Sequence, residues 1–351
     1  MPVRGELGST RPQKSTITWR GHEARISLGI VICLIFWVVF LLLPYGPAHE
    51  TVVSIDPGMT SREIAKILNE AELIQSPILF QAITKLARVD NKLKAGTYKL
   101  SPGMGTVGIV RALAQGKVEL IRFTIPEGIS IRELADLLEA KGLVSKERFL
   151  YLATGEDQDF KVVGGDMEFS GNLEGYLFPD TYAAEAGITE EAIISMMVRE
   201  FAQTVLPEWA ENDVDERARA LGLHGVITLA SIIEKEAKLP EDRPLVASVF
   251  YNRLNLNMPL QSCATVQFAL GSWKMRLSLD DLKIDSPYNT YIISGLPPGP
   301  IACPGLSSVR AALEPADSDY LFFAANQKGG HVFSKTFKEH QKAIAQVQVR
   351  D

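Results

Sequence analysis

The chain has 351 residues, 46% of them hydrophobic and 22% charged, with a formal net charge of −6. That length admits about two domains, and the composition excludes a disordered chain and a basic nucleic-acid binder. Three cysteines and five scattered histidines show no metal-ligand spacing, so no structural metal is expected, and no P-loop or G-x-G-x-x-G points to a nucleotide cofactor.

The chain opens with a basic tail. Arg4, Arg11, Lys14, Arg20 and Arg25 stand against Glu6 and Glu23, so residues 1–25 carry +3 and the remainder −9. Residues 26–43, ISLGIVICLIFWVVFLLL, hold no charge. As a helix they span roughly 27 Å, close to a bilayer core. No small-x-small cleavage site follows Leu43, which argues against a signal peptide. A core helix is rarely apolar all round at the end of a chain. We therefore expect a single transmembrane helix over 26–43, a cytoplasmic tail over 1–25, a linker over 44–51 and the acidic remainder outside.

An internal repeat follows at an offset of 70 residues. Ile55-Asp56-Pro57-Gly58-Met59-Thr60-Ser61-Arg62-Glu63 aligns with Ile125-Pro126-Glu127-Gly128-Ile129-Ser130-Ile131-Arg132-Glu133. Each copy predicts a strand, a glycine turn, a Thr or Ser N-cap and an amphipathic helix, over 61–71 and 131–141. The Glu three residues after each cap completes a capping box. The region 52–160 can be a duplicated β-α unit holding a small sheet, or it can resemble a LysM-like glycan-binding module; the pattern leaves both open.

Residues 155–175 are rich in glycine and acids and read as a loop. Helical patterns then run over 189–205, 208–221, 224–238 and 244–254. Candidate strands at 320–325 and near 331–334 flank Gly329-Gly330, and a charged helix over 336–348 closes the chain. Helices and strands do not alternate regularly, which predicts an α+β fold, mostly helical in its C-terminal part.

Chemistry concentrates in 229–271. On the helix over 224–238, Val226, Ala230, Ile233 and Ala237 share a face at about 100° per residue. Glu234 and Glu236 flank that stripe on opposite sides, and Lys235 points away. Carboxyls against apolar surface are costly as anions, and a carboxyl kept protonated is what general-acid chemistry needs. Periodicity does not choose between the two, and Glu234 could instead pair with Lys238 one turn on. Asn252 and Arg253 on the next helix are either polar-substrate contacts or helix-edge residues. Met258 to Val266 reads as a loop into a helix capped by Thr265. The aromatic, amide and hydroxyl groups of Ser286 to Tyr291 suit a sugar site, and the proline-rich 295–301 suits a rigid loop. His331 has no sequence neighbour that makes a nucleophile–base pair. No G-x-S-x-G, P-loop or dinucleotide fingerprint occurs.

Several ordered motifs resemble the endolytic murein transglycosylases, the YceG-like family. They are LEGYLFPDTY at 173–182, LASIIEKEA at 229–237, VFYNRL at 249–254, LQS-x-x-TV at 260–266, SPYNTY at 286–291, GLPPGPIA at 295–302 and GGHVF at 329–333. The resemblance implies a single-pass inner-membrane protein with a LysM-like region and a periplasmic YceG-like catalytic domain, here 161–351. Such an enzyme cuts nascent peptidoglycan strands internally without water, at the β-1,4 bond between N-acetylmuramic acid and N-acetylglucosamine. It leaves 1,6-anhydro-muramyl ends and ends strand elongation. By the same resemblance Glu234 is the catalytic carboxyl, acting first as acid and then as base, with Glu236 in reserve. Gln261, Tyr288, Asn289 and Glu174 are candidates for sugar positioning. Glycan strands are the implied partner, peptidoglycan synthases are further candidates, and no nucleic acid is implied.

The chain departs from the family pattern at Cys263-Ala264, where Asp-Pro is usual, and at Cys303, where Thr is usual. Both changes yield cysteine. They suggest a Cys263–Cys303 disulfide closing about 40 residues, which would stabilise by up to about 4 kcal/mol. Two other readings remain at this level: a muramidase that adds water with two carboxylates, Glu236 or Glu174 being the second, and a non-enzymatic peptidoglycan-binding scaffold.

Overall fold

The computed structural model describes residues 49–348, apart from 118–119, 158–159, 165–166, 186, 212 and 273. The expected membrane span and cytoplasmic tail lie outside the described residues. Among the described residues no helix is long and apolar enough to cross a membrane. The described residues divide into two compact units, one before and one from Leu120 onward.

In the first unit, β1 (Thr51–Ile55) pairs antiparallel with β2 (Gly96–Leu100), Val53 opposite Tyr98. Between them lie α1 (Ser61–Glu70) and α2 (Pro77–Leu86), and α3 (Gly105–Gln115) follows. The capping box on α1 forms as expected: Thr60 accepts from the Glu63 N–H while Glu63 reaches back to the Thr60 N–H. Ser76 caps α2, with Pro77 in its first turn, where a missing N–H costs nothing. Alternate strand residues Val53 and Ile55 join Ile64, Leu68, Phe80, Tyr98 and Leu113 in one core.

In the second unit, β3 (Leu120–Thr124) pairs antiparallel with β6 (Thr181–Glu185). Enclosed between them in sequence are α4 (Ile131–Ala140), α5 (Lys146–Ala153) and the hairpin of β4 (Lys161–Gly164) and β5 (Met167–Ser170). Then come α6 (Glu190–Ala210), α7 (Glu216–Glu236), α8 (Arg243–Asn255), α9 (Cys263–Leu270) and α10 (Leu306–Leu313). The hairpin β7 (Phe322–Ala325) with β8 (His331–Ser334) precedes α11 (Phe337–Gln348). The mixed α+β class and the mostly helical character of this part follow the sequence expectation.

The unit boundary falls near 119, not near 160. The second copy of the repeat keeps its capping box, Ser130 with Glu133, but belongs to the larger unit. The reason is tertiary. β3 finds its partner in β6, Phe123 stacks on Tyr182 with centroids 5.8 Å apart, and Leu134 and Leu138 of α4 enter the large core.

The centre of that core is α7. Gly222 takes φ 71° and breaks the helical path at the interruption read between 221 and 224. The helix expected over 208–221 starts only at Glu216, because 208–210 continue α6 and Asp215 caps α7. Beyond Gly222 every residue from Val226 to Ile233 is buried. A helix buried all round is an interior helix, not an amphipathic surface one. Its C-terminal turn carries Glu234, Lys235 and Glu236 out of the core. The negative end of the helix dipole disfavours carboxylates there, so the surroundings must supply the compensation.

Candidate active site

Arg243, the first residue of α8, supplies it. Its Nη2 donates to Glu234 Oε1 at 3.0 Å, and the Gly305 N–H donates to Oε2, also at 3.0 Å. The side chains of Glu234 and Arg243 are only 6% and 8% exposed. The expected apolar flank of Glu234 is therefore only part of its environment, because two donors face it. The i+4 pairing with Lys238 does not form. Lys235, expected to point away, turns back and donates to the Gly128 carbonyl at 3.1 Å.

A second carboxyl joins them. The turn Pro126-Glu127-Gly128 is pinned beside Glu234 by reciprocal backbone bonds: the Gly128 N–H donates to the Cys303 carbonyl and the Cys303 N–H to the Ile129 carbonyl, both at 2.8 Å. Gly128 sits at φ 73°, and a Cβ there would lie 3.3 Å from Glu234 Cγ. Glycine alone meets both demands easily. Glu127 Oε2 comes within 3.9 Å of the same Arg243 Nη2, with half of its side chain exposed. Burial, and then the charge of Glu234, push the Glu127 carboxyl up, against the pull of Arg243. No sequence motif marks Glu127. Its one signal is that the repeat places a proline, Pro57, at the matching position.

Glu236 points elsewhere. It accepts from the Ser262 hydroxyl and the Ala264 N–H at the start of α9. Burial pushes its carboxyl up while both bonds oppose that shift. It holds the head of α9 in place. That helix begins at Cys263 and not at Thr265, whose hydroxyl bonds the Ser262 carbonyl. His331 Nδ1 is paired with Asp242 at 2.9 Å.

Glu174 is buried, and both of its oxygens accept the Ile131 N–H at 3.1 Å. Burial raises its carboxyl to about 8, against the pull of that backbone bond. It lines a cleft of about 380 Å³ together with Glu133, Asn172, Lys235, Gln267 and Phe268. Neither Glu127 nor Glu234 lines this cleft; Lys235 connects it to the carboxyl pair through Gly128. Tyr288 packs on Phe268 with centroids 4.8 Å apart. Gln261 is exposed, in the left-handed region at φ 55°, and its N–H donates to the Thr290 carbonyl.

Other expectations are corrected. Asn289 is fully buried. Its amide donates to the carbonyls of Leu282 and Ile284, and its oxygen accepts the Tyr291 N–H. It locks the 282–291 loop and has nothing left for a sugar. Asn252 and Arg253 likewise bond backbone carbonyls of Ser318, Tyr320, Leu321 and Leu260. The Cys263–Cys303 bridge is absent and both thiols are free. Cys303 is buried beside the Gly175 and Leu177 backbone, whereas Cys263 is exposed and meets the Tyr291 hydroxyl at 3.2 Å. Among the described residues no three His, Cys, Asp or Glu side chains converge as a metal-binding set.

The profile of the YceG-like family matches residues 53–346. The chain belongs to the YceG-like family. It is 38% identical over 323 residues to the endolytic murein transglycosylase of Bacillus subtilis, covering 86% of this chain and 87% of that one. It is 31% identical to the endolytic murein transglycosylase of Streptococcus pneumoniae D39, covering 88% of this chain and 61% of that longer relative. A crystal structure of a YceG-like protein from Listeria monocytogenes matches with TM-score 0.55 at 36% identity, over 84% of this chain and 99% of that one. In this YceG-like chain the matched span takes in the whole Glu127–Glu234–Arg243–Gly305 cluster.

Chemically, the cluster offers two carboxyls and one guanidinium. Burial and the neighbouring Glu234 charge favour the protonated form of Glu127. A site of this kind can move protons at a glycosidic oxygen without a metal ion.

Proposed function

We propose that this chain is an endolytic murein transglycosylase. It cuts the β-1,4 bond between N-acetylmuramic acid and N-acetylglucosamine inside nascent glycan strands, leaves 1,6-anhydro-muramyl ends, and thereby stops strand elongation. The observation that carries the reading is Glu234, a carboxyl at the mouth of a buried helix, oriented by Arg243 and the Gly305 N–H. The names of the relatives at 38% and 31% identity support the same activity.

The reaction needs a proton delivered to the leaving oxygen and a proton removed from the muramyl C6 hydroxyl as its oxygen closes onto C1. Glu234 is the carboxyl through which this chemistry runs. The two donors that fix its oxygens hold it in one orientation, and fixed orientation is a large part of enzymatic rate enhancement. Glu174, Tyr288 and Gln261 remain candidates for holding the sugars. The apolar run over 26–43 and the basic tail before it support an anchor in the inner membrane, with the catalytic unit on the periplasmic side. The strand–helix–helix–strand order of residues 51–100 supports a LysM-like role for the first unit. Peptidoglycan synthases, which make the substrate strand, are candidate partners.

Mass spectrometry of fragments released from uncross-linked glycan strands tests the reading. Products ending in 1,6-anhydro-muramic acid are expected from the wild type. Glu234→Gln should still bind glycan and lose about 10²- to 10⁴-fold in turnover. Products one water heavier, with reducing ends, would replace the transglycosylase reading with a hydrolase.

A further inference from the structure

We propose that Glu127 is a second catalytic carboxyl of this site, the group that hands the proton to the leaving glycosidic oxygen. The proposal rests on the transglycosylase reading above and divides between two groups the transfers that Glu234 would otherwise perform in turn.

Three observations place Glu127 there. The first is accessibility. Glu234 is 6% exposed and Glu127 is 51% exposed, yet both address Nη2 of the same Arg243. A saccharide arriving from solvent meets Glu127 first. The second is rigidity. The turn carrying Glu127 is tied before it by the Ile125 N–H to the Asp180 carbonyl and after it to Cys303, and through Gly128 to Lys235, so the backbone that presents its carboxyl is fixed. The third is the fit to Gly305. A Cβ on Gly305 would lie 2.0 Å from Glu127 Oε1 and 2.1 Å from its carboxyl carbon. The Glu127 carboxyl therefore occupies the space a side chain would fill, on the very residue whose N–H binds Glu234. Gly305 is at φ −75°, ψ 163°, which any residue adopts. Its lack of a side chain answers to the carboxyl and not to the backbone.

The upward push on the Glu127 carboxyl, from burial and from Glu234, suits a proton donor. The Glu127 carboxyl gives its proton to the glycosidic oxygen as the C1–O4 bond breaks. The C6 hydroxyl oxygen bonds to C1, and its proton passes to the Glu234 carboxylate. Glu127 leaves the step as the anion and Glu234 as the acid. Transfer of one proton back from Glu234 to Glu127, across the shared guanidinium site, restores the starting state. No water is consumed and no other reactant is needed.

The test uses the full chain in detergent and a defined uncross-linked glycan. The wild type must first release anhydro ends; if it releases none, the parent reading fails and not this one. Glu127→Gln should lower kcat by about 10²- to 10⁴-fold with KM little changed. It should also remove the alkaline limb of the kcat/KM profile, which reports the acid. Gly305→Ala keeps every carboxyl and the N–H to Glu234 but displaces Glu127; it should lower kcat while circular dichroism and thermal midpoint stay near wild type. Three outcomes would overturn the proposal: a Glu127→Gln enzyme within threefold of wild-type kcat, a kcat loss with the alkaline limb intact, or a Gly305→Ala enzyme with full activity.

Discussion

Replacing Glu174 by Gln should make the stability of the second unit less dependent on pH. In the folded chain this carboxyl titrates at about 8 instead of its ordinary 4.5. Between those values the folded state holds a proton that the unfolded state has released. Stability then falls as pH rises, by about 1.4 kcal/mol per pH unit, and the whole interval amounts to about 5 kcal/mol. The loss begins near the unfolded value and is complete above the folded one. A Gln amide oxygen can still accept the Ile131 N–H that now bonds both carboxyl oxygens, and it carries no titrating proton. Wild type and Glu174→Gln should be nearly equally stable at about pH 4.5, and the variant should be several kcal/mol more stable at about pH 8.5. Chemical unfolding followed by tryptophan fluorescence across that range measures the difference. Two stability curves running parallel over the whole interval would refute the reasoning, because Glu174 would then titrate alike in both states.

Two further outcomes follow from the corrected site residues. Asn289→Ala should destabilise by at least about 2 kcal/mol, since it strips partners from two buried carbonyls and one N–H, and thermal unfolding reads this directly; a raised KM at unchanged stability would instead put Asn289 on the sugar. Cys263 should label with a thiol reagent in the native protein and Cys303 only after unfolding, both without reductant, and peptide mapping by mass spectrometry distinguishes the two sites.

Much of the fold is legible in the sequence because its signals are local. The capping residues place α1 and α4 to within one residue at their ends, and Gly329-Gly330 places the β7–β8 hairpin. The interruption between 221 and 224 marks the break at Gly222. In the sequence only the resemblance to a family singles out Glu234, because the helical wheel leaves it level with Glu236. What separates them is long-range. Arg243 lies beyond the end of α7, Gly305 lies 71 residues downstream of Glu234, and Ser262 claims Glu236 from the far side. The cysteine expectation failed for the same kind of reason. Two unusual residues in separate motifs need not face each other, and Cys303 spends its backbone on the 128–129 turn while its thiol is buried among the Gly175 and Leu177 backbone.

The two copies of the repeat locate the limit of local reasoning. Gly58 and Gly128 both turn through positive φ, at 86° and 73°, and Thr60 and Ser130 each complete a capping box with the Glu three residues on. The buried faces correspond too, Ile64, Ala65 and Leu68 against Leu134, Ala135 and Leu138. Caps and turns set that geometry in both places, whatever the surroundings. Yet the first copy packs into the small core, while the second is drawn by β6 and Cys303 against the helix that carries Glu234. Where the scaffold is the same, the residues that differ are the ones free to serve the new surroundings. At the turn that difference is Pro57 against Glu127: a ring that can only stiffen the loop, and a carboxyl that reaches the arginine beside the candidate catalytic glutamate.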